Sequence, residues 1–470
     1  MPISLTLLRL LFKDKSSVYA PQLRDCLVTK YSYYQVRVDT GSSDLWIDPS
    51  GLHISDTIDT DVVEAVSMRD STEASGPVVL ANVTMGNFTV EAQAYINAIS
   101  TNATRPGQGN GLIGVGVANT SRVWKALENS SYDGMPFLEN VFKSHSNESN
   151  FITFALSRSD VGITEGGIFT IAEVNDTYGH IVSTPKLEVV WQELQWSLWM
   201  QEIIVNGEAL SGHATNSTRV TPPSGSESST LALLDIGTSY GLAPSWYVDA
   251  MYKDMPGAVW DAGYNGYTLP CDTALNLSMV FGNTTFPMDP LDSIIIQVQD
   301  DDSVVCAGTF SYIPDYLGVD WVLGDSFLRN VYSLFNYGNY TASGTGGPFI
   351  QLLSTTDADS AWATFNFTNT NRIKQLIKSK EGKPWGISPR AWEFIGIAVG
   401  GLVVIAAIAF LVRPCVRRRK DAVYKPLSAP MRQSWVLFDG SHTIPMEEAQ
   451  TDYPEPVTHS DPWTDRVDGS

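Results

Sequence analysis

Cationic side chains are scarce in this chain. Lys and Arg number 30 against 51 Asp and Glu in 470 residues, a formal charge of −21, and that balance excludes nucleic acid as a partner because too little charge is left to neutralise phosphates. The deficit is uneven: residues 1–412 carry 22 Lys and Arg against 42 Asp and Glu, and residues 413–470 carry 8 against 9. Excess negative charge of this kind keeps a protein soluble where many carboxylates begin to protonate. Helical patterning is also sparse, with Ser121 to Glu128 and Met135 to His145 as the chief candidates, so an alternating strand-helix architecture is excluded. That absence disposes of two glycine-rich decoys. Gly109-Asn110-Gly111-Leu112-Ile113-Gly114 has the spacing of a dinucleotide fingerprint, but neither an amphipathic helix nor a ribose-binding acid follows it. Gly237-Thr238-Ser239-Tyr240-Gly241 matches a serine-hydrolase elbow and lacks the strand-helix setting that such an elbow requires.

Long apolar runs are absent too, with one exception. Phe394 to Val412 is 19 residues without a charge, enough to cross a bilayer as a helix. Arg413, Arg417, Arg418, Arg419 and Lys420 follow, so the positive-inside rule puts the carboxyl terminus in the cytoplasm and the larger part in the lumen or exterior. Twelve Asn-x-Ser/Thr sequons precede that segment and none follows: Asn82, Asn87, Asn102, Asn119, Asn129, Asn147, Asn175, Asn216, Asn276, Asn283, Asn339 and Asn366. This is the distribution expected of a secretory-pathway ectodomain in a single-pass protein of the plasma membrane, vacuole or endosome. The tail, 413–470, is expected to be disordered. Within it, Tyr424-Lys425-Pro426-Leu427 has the form of a tyrosine-based signal read by a sorting adaptor, and Cys415 is placed for palmitoylation. At the other end, Ile3 to Phe12 is a short apolar run broken by Arg9, with Val18-Tyr19-Ala20 after it. It makes a poor export signal, and the native start is expected to lie upstream.

Two short segments resemble each other across the chain. Asp39-Thr40-Gly41-Ser42-Ser43 and Asp235-Ile236-Gly237-Thr238-Ser239 each follow strand-like sequence, and each has a downstream apolar-apolar-Gly partner, Leu112-Ile113-Gly114 and Val322-Leu323-Gly324. A single Asp-x-Gly is an ordinary turn in which Asp caps backbone amides. Two copies with matching partners describe two halves built on one plan, each offering a carboxylate.

The first motif continues Asp44-Leu45-Trp46, and the second half ends Trp321-Val322-Leu323-Gly324-Asp325-Ser326-Phe327-Leu328-Arg329-Asn330-Val331-Tyr332. In these features the chain resembles the pepsin-like aspartic proteases, fungal membrane-anchored members above all, over residues 34–355. The resemblance implies an all-β, bilobal fold, here followed by a single carboxyl-terminal transmembrane helix, and an expected monomer. It implies catalysis by Asp39 and Asp235 on a polypeptide substrate, with neither metal nor cofactor. Two carboxylates within a few ångströms share a proton, so the ionised member acts as base on a water while the protonated one donates to the peptide carbonyl. Ser42 and Thr238 match the hydroxyls that support the outer carboxylate oxygens, Thr40 matches a residue reaching to the opposite loop, and Gly41 and Gly237 let the loops approach. Leu112 matches a residue lining the pocket before the scissile bond. Cys271 and Cys306 stand where the family has a disulfide, which would close a 35-residue loop and stabilise by about 3–4 kcal/mol, leaving Cys26 unpaired.

Three departures accompany the resemblance. Ile236 has no hydroxyl to return the clasp of Thr40, which predicts a looser dyad. The segment Met68 to Gly76 replaces the Tyr-Gly hairpin that closes over substrate, with Met68 at the tyrosine position beside Trp46. Residues 1–38 offer only Tyr33 to Val38 as a strand, so the opening strand pair is expected to be missing. A catalytically weak or inert relative that binds polypeptide or cell-wall ligands is therefore the alternative to a membrane-anchored endopeptidase working at acidic pH. The expected organisation is an atypical segment at 1–32, a first β lobe at 33–187, a second at 188–368, a stalk at 369–393, the span at 394–412 and the tail. Strands are expected at Val78 to Ala98 around a Met85-Gly86-Asn87 turn, at Gly167 to Ile171 and at Trp199 to Asn206, with a loop at Ser217 to Thr230.

Overall fold

A computed structural model describes residues 3–4, 8–13, 31–49, 54, 57–68, 73–102, 110–158, 164–190, 195–215, 218, 220–298, 303–338 and 346–381. The apolar segment 394–412, the tail with Cys415 and Tyr424, and Cys26 lie outside these residues. Among the described residues no helix is long and apolar enough to cross a membrane.

Strands dominate, and they form four sheets. The first half is an eight-stranded sheet in which Tyr31–Asp39 runs parallel to Gly111–Gly114, and Leu45–Ile47 packs antiparallel on the other side of that short strand. The second half repeats the arrangement: Thr230–Leu234 runs parallel to Trp321–Leu323, with Gly241–Ala243 antiparallel beyond it. A four-stranded sheet flanks the second half, and the Cys271–Cys306 disulfide ties the residues just past its strand Gly266–Leu269 to the middle of the neighbouring strand Val304–Gly308. A six-stranded sheet joins the halves, because Phe151–Arg158 from the first pairs with Val331–Asn336 from the second. Its last strand is the short Leu187–Glu188, paired with Phe349–Ser354.

The alternation between Val78 and Ala98 becomes the strands Glu73–Met85 and Phe88–Asn97, turned at Gly86, whose φ of 58° favours glycine. Gly167 to Ile171 and Trp199 to Asn206 fall in strands Thr164–Ile171 and Ser197–Val205. Residues 220–229 carry no strand and are largely exposed. Helices α1 (Arg122–Leu127) and α2 (Phe137–Ser144) lie where patterning put them. Helices α3 (Ser245–Tyr252), α4 (Asp325–Leu328) and α5 (Ala358–Glu381) were not legible.

Two expectations are corrected. The opening strand pair is present: Leu8–Lys13 pairs antiparallel with Tyr31–Asp39, from Leu8 opposite Val36 to Lys13 opposite Tyr31, and its middle also pairs with Val83 to Met85. A second short strand, Ile3–Ser4, joins the six-stranded sheet. A short apolar run reads equally well as an export signal or as a strand, and periodicity alone cannot separate them. The second correction concerns 369–393. Helix α5 runs through its beginning and is packed on the body there: Asn369 and Arg372 are each 3% exposed, Asn369 donates to the Cys271 carbonyl at 2.7 Å, and Arg372 donates to the Leu291 carbonyl at 2.8 Å. A stalk cannot begin at 369.

Candidate active site

Asp39 ends one parallel strand and Asp235 follows another, and each loop then turns back across the short strand paired to it. Val115 N–H donates to the Asp39 carbonyl at 2.8 Å, and Asp235 N–H donates to the Leu323 carbonyl at 2.9 Å. The glycines of the downstream motifs are required by this crossing. A Cβ on Gly114 would stand 2.6 Å from the Asp44 nitrogen, and one on Gly324 would stand 2.1 Å from the carbonyl oxygens of Thr238 and Tyr240.

The crossing brings the carboxylates together. A Cβ on Gly41 would lie 2.9 Å from Asp235 Cγ, and one on Gly237 would lie 2.4 Å from Asp39 Oδ1, so each carboxylate rests against the glycine of the opposite loop. Both acids are buried, at 7% and 5% exposure. Asp39 Oδ1 accepts from Gly41 N–H at 2.7 Å and Oδ2 from the Ser42 hydroxyl at 2.7 Å. The second loop matches atom for atom, with Gly237 N–H at 2.9 Å from Asp235 Oδ1 and the Thr238 hydroxyl at 2.8 Å from Oδ2. Burial first, and then the Asp235 carboxylate beside it, push Asp39 up to about 7 against the hydrogen bonds from Ser42 and Gly41. Asp39 thus keeps its proton over a pH range in which ordinary carboxylates have lost theirs.

Thr40 braces the loops from the first half. Its hydroxyl donates to the Leu234 carbonyl at 2.9 Å and accepts from Ile236 N–H at 3.0 Å, while Ile236 packs against the hydrophobic core. One hydroxyl therefore makes both hydrogen bonds of a clasp whose mirror image Ile236 cannot make. Ile236→Thr should add that mirror clasp, toward Val38 and Thr40, and stabilise by about 1 kcal/mol, read as a raised denaturant midpoint. An unchanged midpoint would mean that the second hydroxyl finds no partners.

Met68, Val62, Val66 and Tyr132 pack against a buried cluster that includes Trp46, Leu112, Val123 and Leu127. Met68 is half-buried just past the strand Ile58–Ser67, whereas Leu112, 3% exposed, belongs to the buried cluster itself, so of the two sequence-chosen pocket residues only Met68 reaches the surface. Trp46 Nε1 is buried there without a hydrogen-bond partner among the described side chains and backbone, which fits a thioether standing where the resemblance has a phenol. Of the sequons, Asn216 and Asn339 lie outside the described residues. The other ten are exposed or half-buried, and none is buried.

Several supports escaped the sequence reading. Asp44 accepts from the Ser121 hydroxyl at 2.5 Å and from the Arg122 and Val123 amides at 2.9 and 3.2 Å, fastening the first loop to the start of α1. Trp196 Nε1 and the Tyr337 hydroxyl, both from the second half, donate to the Val115 carbonyl at 3.0 and 2.6 Å. Nothing local in the sequence announces these long-range partners.

The eukaryotic aspartyl protease family model matches residues 29–344 of the chain. The chain belongs to that family. It is 26% identical over 325 residues to an aspartic protease of Phaffia rhodozyma, covering 65% of this chain and 71% of that protein. It is 26% identical over 333 residues to major aspartyl peptidase 1 of Cryptococcus neoformans, covering 65% of this chain and 64% of the relative. The solved structure of an aspartic proteinase from Irpex lacteus superposes with a TM-score of 0.54 at 18% identity, covering 76% of this chain and 98% of that one. That likeness speaks to the fold, which is the mostly-β fold of the pepsin-like proteinases. The protein is an aspartic-type endopeptidase of the pepsin family, and the inert alternative is set aside.

Proposed function

We propose that this protease is anchored in a membrane of the secretory pathway with its catalytic part in the lumen or exterior, and that Asp39 and Asp235 are its catalytic dyad. The observation carrying the second statement is the mutual approach of the two buried carboxylates across Gly41 and Gly237. A water between them would lose a proton to the ionised acid while the protonated one donates to the carbonyl oxygen of the scissile bond. The resulting tetrahedral species collapses with transfer of a proton to the leaving amine, and no covalent enzyme intermediate forms. Ser42, Thr238 and the two glycine amides hold the carboxylates for this exchange, and Thr40 keeps the loops in register. The substrate is taken to be an extended polypeptide cut between apolar residues, with the half-buried Met68, packed on the buried Trp46 and Leu112 cluster, as the accessible apolar contact.

The uncharged segment 394–412, the basic cluster after it and the confinement of all twelve sequons to one side support the anchor. The two β-rich halves, meeting near 187, form the catalytic part as a monomer, and the Tyr424 motif would direct traffic by way of an adaptor. The test is twofold. The full chain should cleave quenched fluorescent peptides at pH 3 to 5, with pepstatin abolishing the signal; pepstatin-resistant cleavage would overturn the assigned chemistry. Expressed in a eukaryotic cell, it should resist carbonate extraction and shift on glycosidase treatment. Release into the soluble fraction, or no shift, would overturn the topology while leaving the chemistry standing.

A further inference from the structure

The loop bearing Asp39 rests along its whole length on residues 115–123. Gly116 N–H donates to the Ser42 carbonyl at 2.7 Å, the Ser43 hydroxyl donates to the Val117 carbonyl at 2.7 Å and lies 2.5 Å from the Thr120 hydroxyl, and Asp44 holds the start of α1. Gly116 admits no side chain, since a Cβ there would stand 2.7 Å from both the Ser42 carbonyl and the Ser43 hydroxyl. This cradle is itself held from behind. Glu139, in the first turns of α2 and 5% exposed, accepts the Ala118 amide on Oε1 at 2.7 Å. Its second oxygen, Oε2, is buried with no hydrogen-bond partner among the described groups. The helix cannot retreat from this contact, because Asn140 donates to Gln93 Oε1 at 3.1 Å and to the Met135 carbonyl at 3.2 Å, and Gln93 donates to the same carbonyl at 3.0 Å.

We propose that Glu139 is a positioning residue of this protease, holding the cradle under the Asp39 loop while it carries a proton and releasing it when it ionises. The proposal rests on the assignment of Asp39 to the dyad only for its effect on activity; the structural effect stands by itself. A protonated Glu139 still offers a carbonyl oxygen to Ala118 N–H. An ionised one sets a charge in a dry site with one donor and one orphaned oxygen, which is the costly case for a buried carboxylate. Burial pushes Glu139 up to about 7 in spite of the Ala118 hydrogen bond, and the Asp133 carboxylate adds to the push. Lys143, on α2 itself, is exposed and paired to Asp133 at 3.1 Å rather than to Glu139. From the strand Phe88–Asn97, against which α2 packs, the neutral Gln93 and the buried Tyr95 face the helix, and burial pushes the Tyr95 phenol up, so that it stays uncharged between pH 5 and 8.

The sign follows from linkage. A carboxyl whose folded value is raised stabilises the fold below its unfolded value, and that contribution is lost as pH rises through about 7. The cradle is therefore closed in acid and loosens toward neutrality, apart from any titration of the dyad.

To separate the two titrations, amide hydrogen exchange of residues 115–123 is followed from pH 5 to pH 8 in the full chain carrying Asp39→Asn, corrected for the intrinsic pH dependence of exchange. Protection should fall about tenfold or more across that range. With Glu139→Gln added, which keeps the acceptor for Ala118 and cannot ionise, protection should stay level within about twofold. In the active protein, Glu139→Gln should preserve kcat/KM at pH 4 and slow the irreversible loss of activity at pH 7 to 8. A glutamine variant that loses protection at neutral pH as the parent does would overturn the proposal. So would a parent whose protection is constant.

Discussion

Asp39→Asn should lower kcat by at least about 10³-fold at pH 4, the scale of a lost general acid-base group. KM should change little, because the carboxamide keeps the shape of the site and the hydrogen-bond donors Gly41 and Ser42 remain. The reason for so large an effect is the sharing of one proton. Asp39 is raised to about 7 by burial and by Asp235, so below that pH it keeps the proton for a reaction that needs one acid and one base. An amide can be neither. The wild-type protease should therefore lose activity as pH rises through about 7, when the second carboxylate ionises and no proton is left to give to the substrate carbonyl. A matching signature exists in stability. A raised folded value means that the stabilising contribution is present at low pH and vanishes as pH rises through about 7, so Asp39→Asn should flatten that limb of the profile. Peptide cleavage assays and chemical denaturation of the same preparations read both effects. A variant with more than a tenth of wild-type kcat would remove Asp39 from the dyad.

The paired acids were legible because the sequence repeats a whole constellation: an acid, a glycine two positions on, a hydroxyl three positions on, and a distant apolar-apolar-Gly strand. Each member answers to a local steric or hydrogen-bonding demand, as the short Cβ distances at Gly114 and Gly324 illustrate, so residue identity carries the information. The disulfide between Cys271 and Cys306 was expected from the resemblance alone, and it is formed. What escaped is set by partners remote in sequence. Leu8 to Lys13 shows no alternation, and only its pairing with Tyr31–Asp39 makes it a strand. The clasp was read as weakened at Ile236, whereas the backbone of Ile236 supplies the donor that Thr40 needs. Helix α5 has no clean apolar stripe, because it is held to the body through Asn369 and Arg372, and polar anchors leave no periodic trace.

Those anchors lead to the site where substitution should damage the fold most. Asp292 is 1% exposed and lies between two guanidiniums: Arg158, from the sheet strand shared by both halves, and Arg329, which follows α4 and is 2.7 Å away. Asn330 donates to Asp292 Oδ2 at 3.0 Å, and Arg158 also reaches Asp289 at 3.1 Å. Burial alone would raise the Asp292 carboxyl, but Arg329 and Arg158 outweigh it and hold it below the usual carboxylate range. Stability from this acid is therefore present above its unfolded value and is lost only as pH falls through the lowered folded one. The network stays charged across the acidic range in which the dyad works. Asp292→Ala would take the buried carboxylate away from the buried Arg329 and from the half-buried Arg158, which keeps Asp289, and breaking a buried pair in this way costs about 3–5 kcal/mol. The expected result is a fall of that size in unfolding free energy at pH 5, read by denaturant titration, together with loss of α5 protection in hydrogen exchange, because Arg372 is tied to the same turn at Leu291. Arg329→Met in the Asp292→Ala background should recover part of the loss, because it removes the more buried of the two guanidiniums that faced Asp292 and leaves the Arg158–Asp289 pair in place. Recovery by the second substitution distinguishes electrostatic damage from a simple cavity, which a further change at Arg329 would only enlarge. An Asp292→Ala protein as stable as wild type would mean that solvent reaches the cluster and screens it.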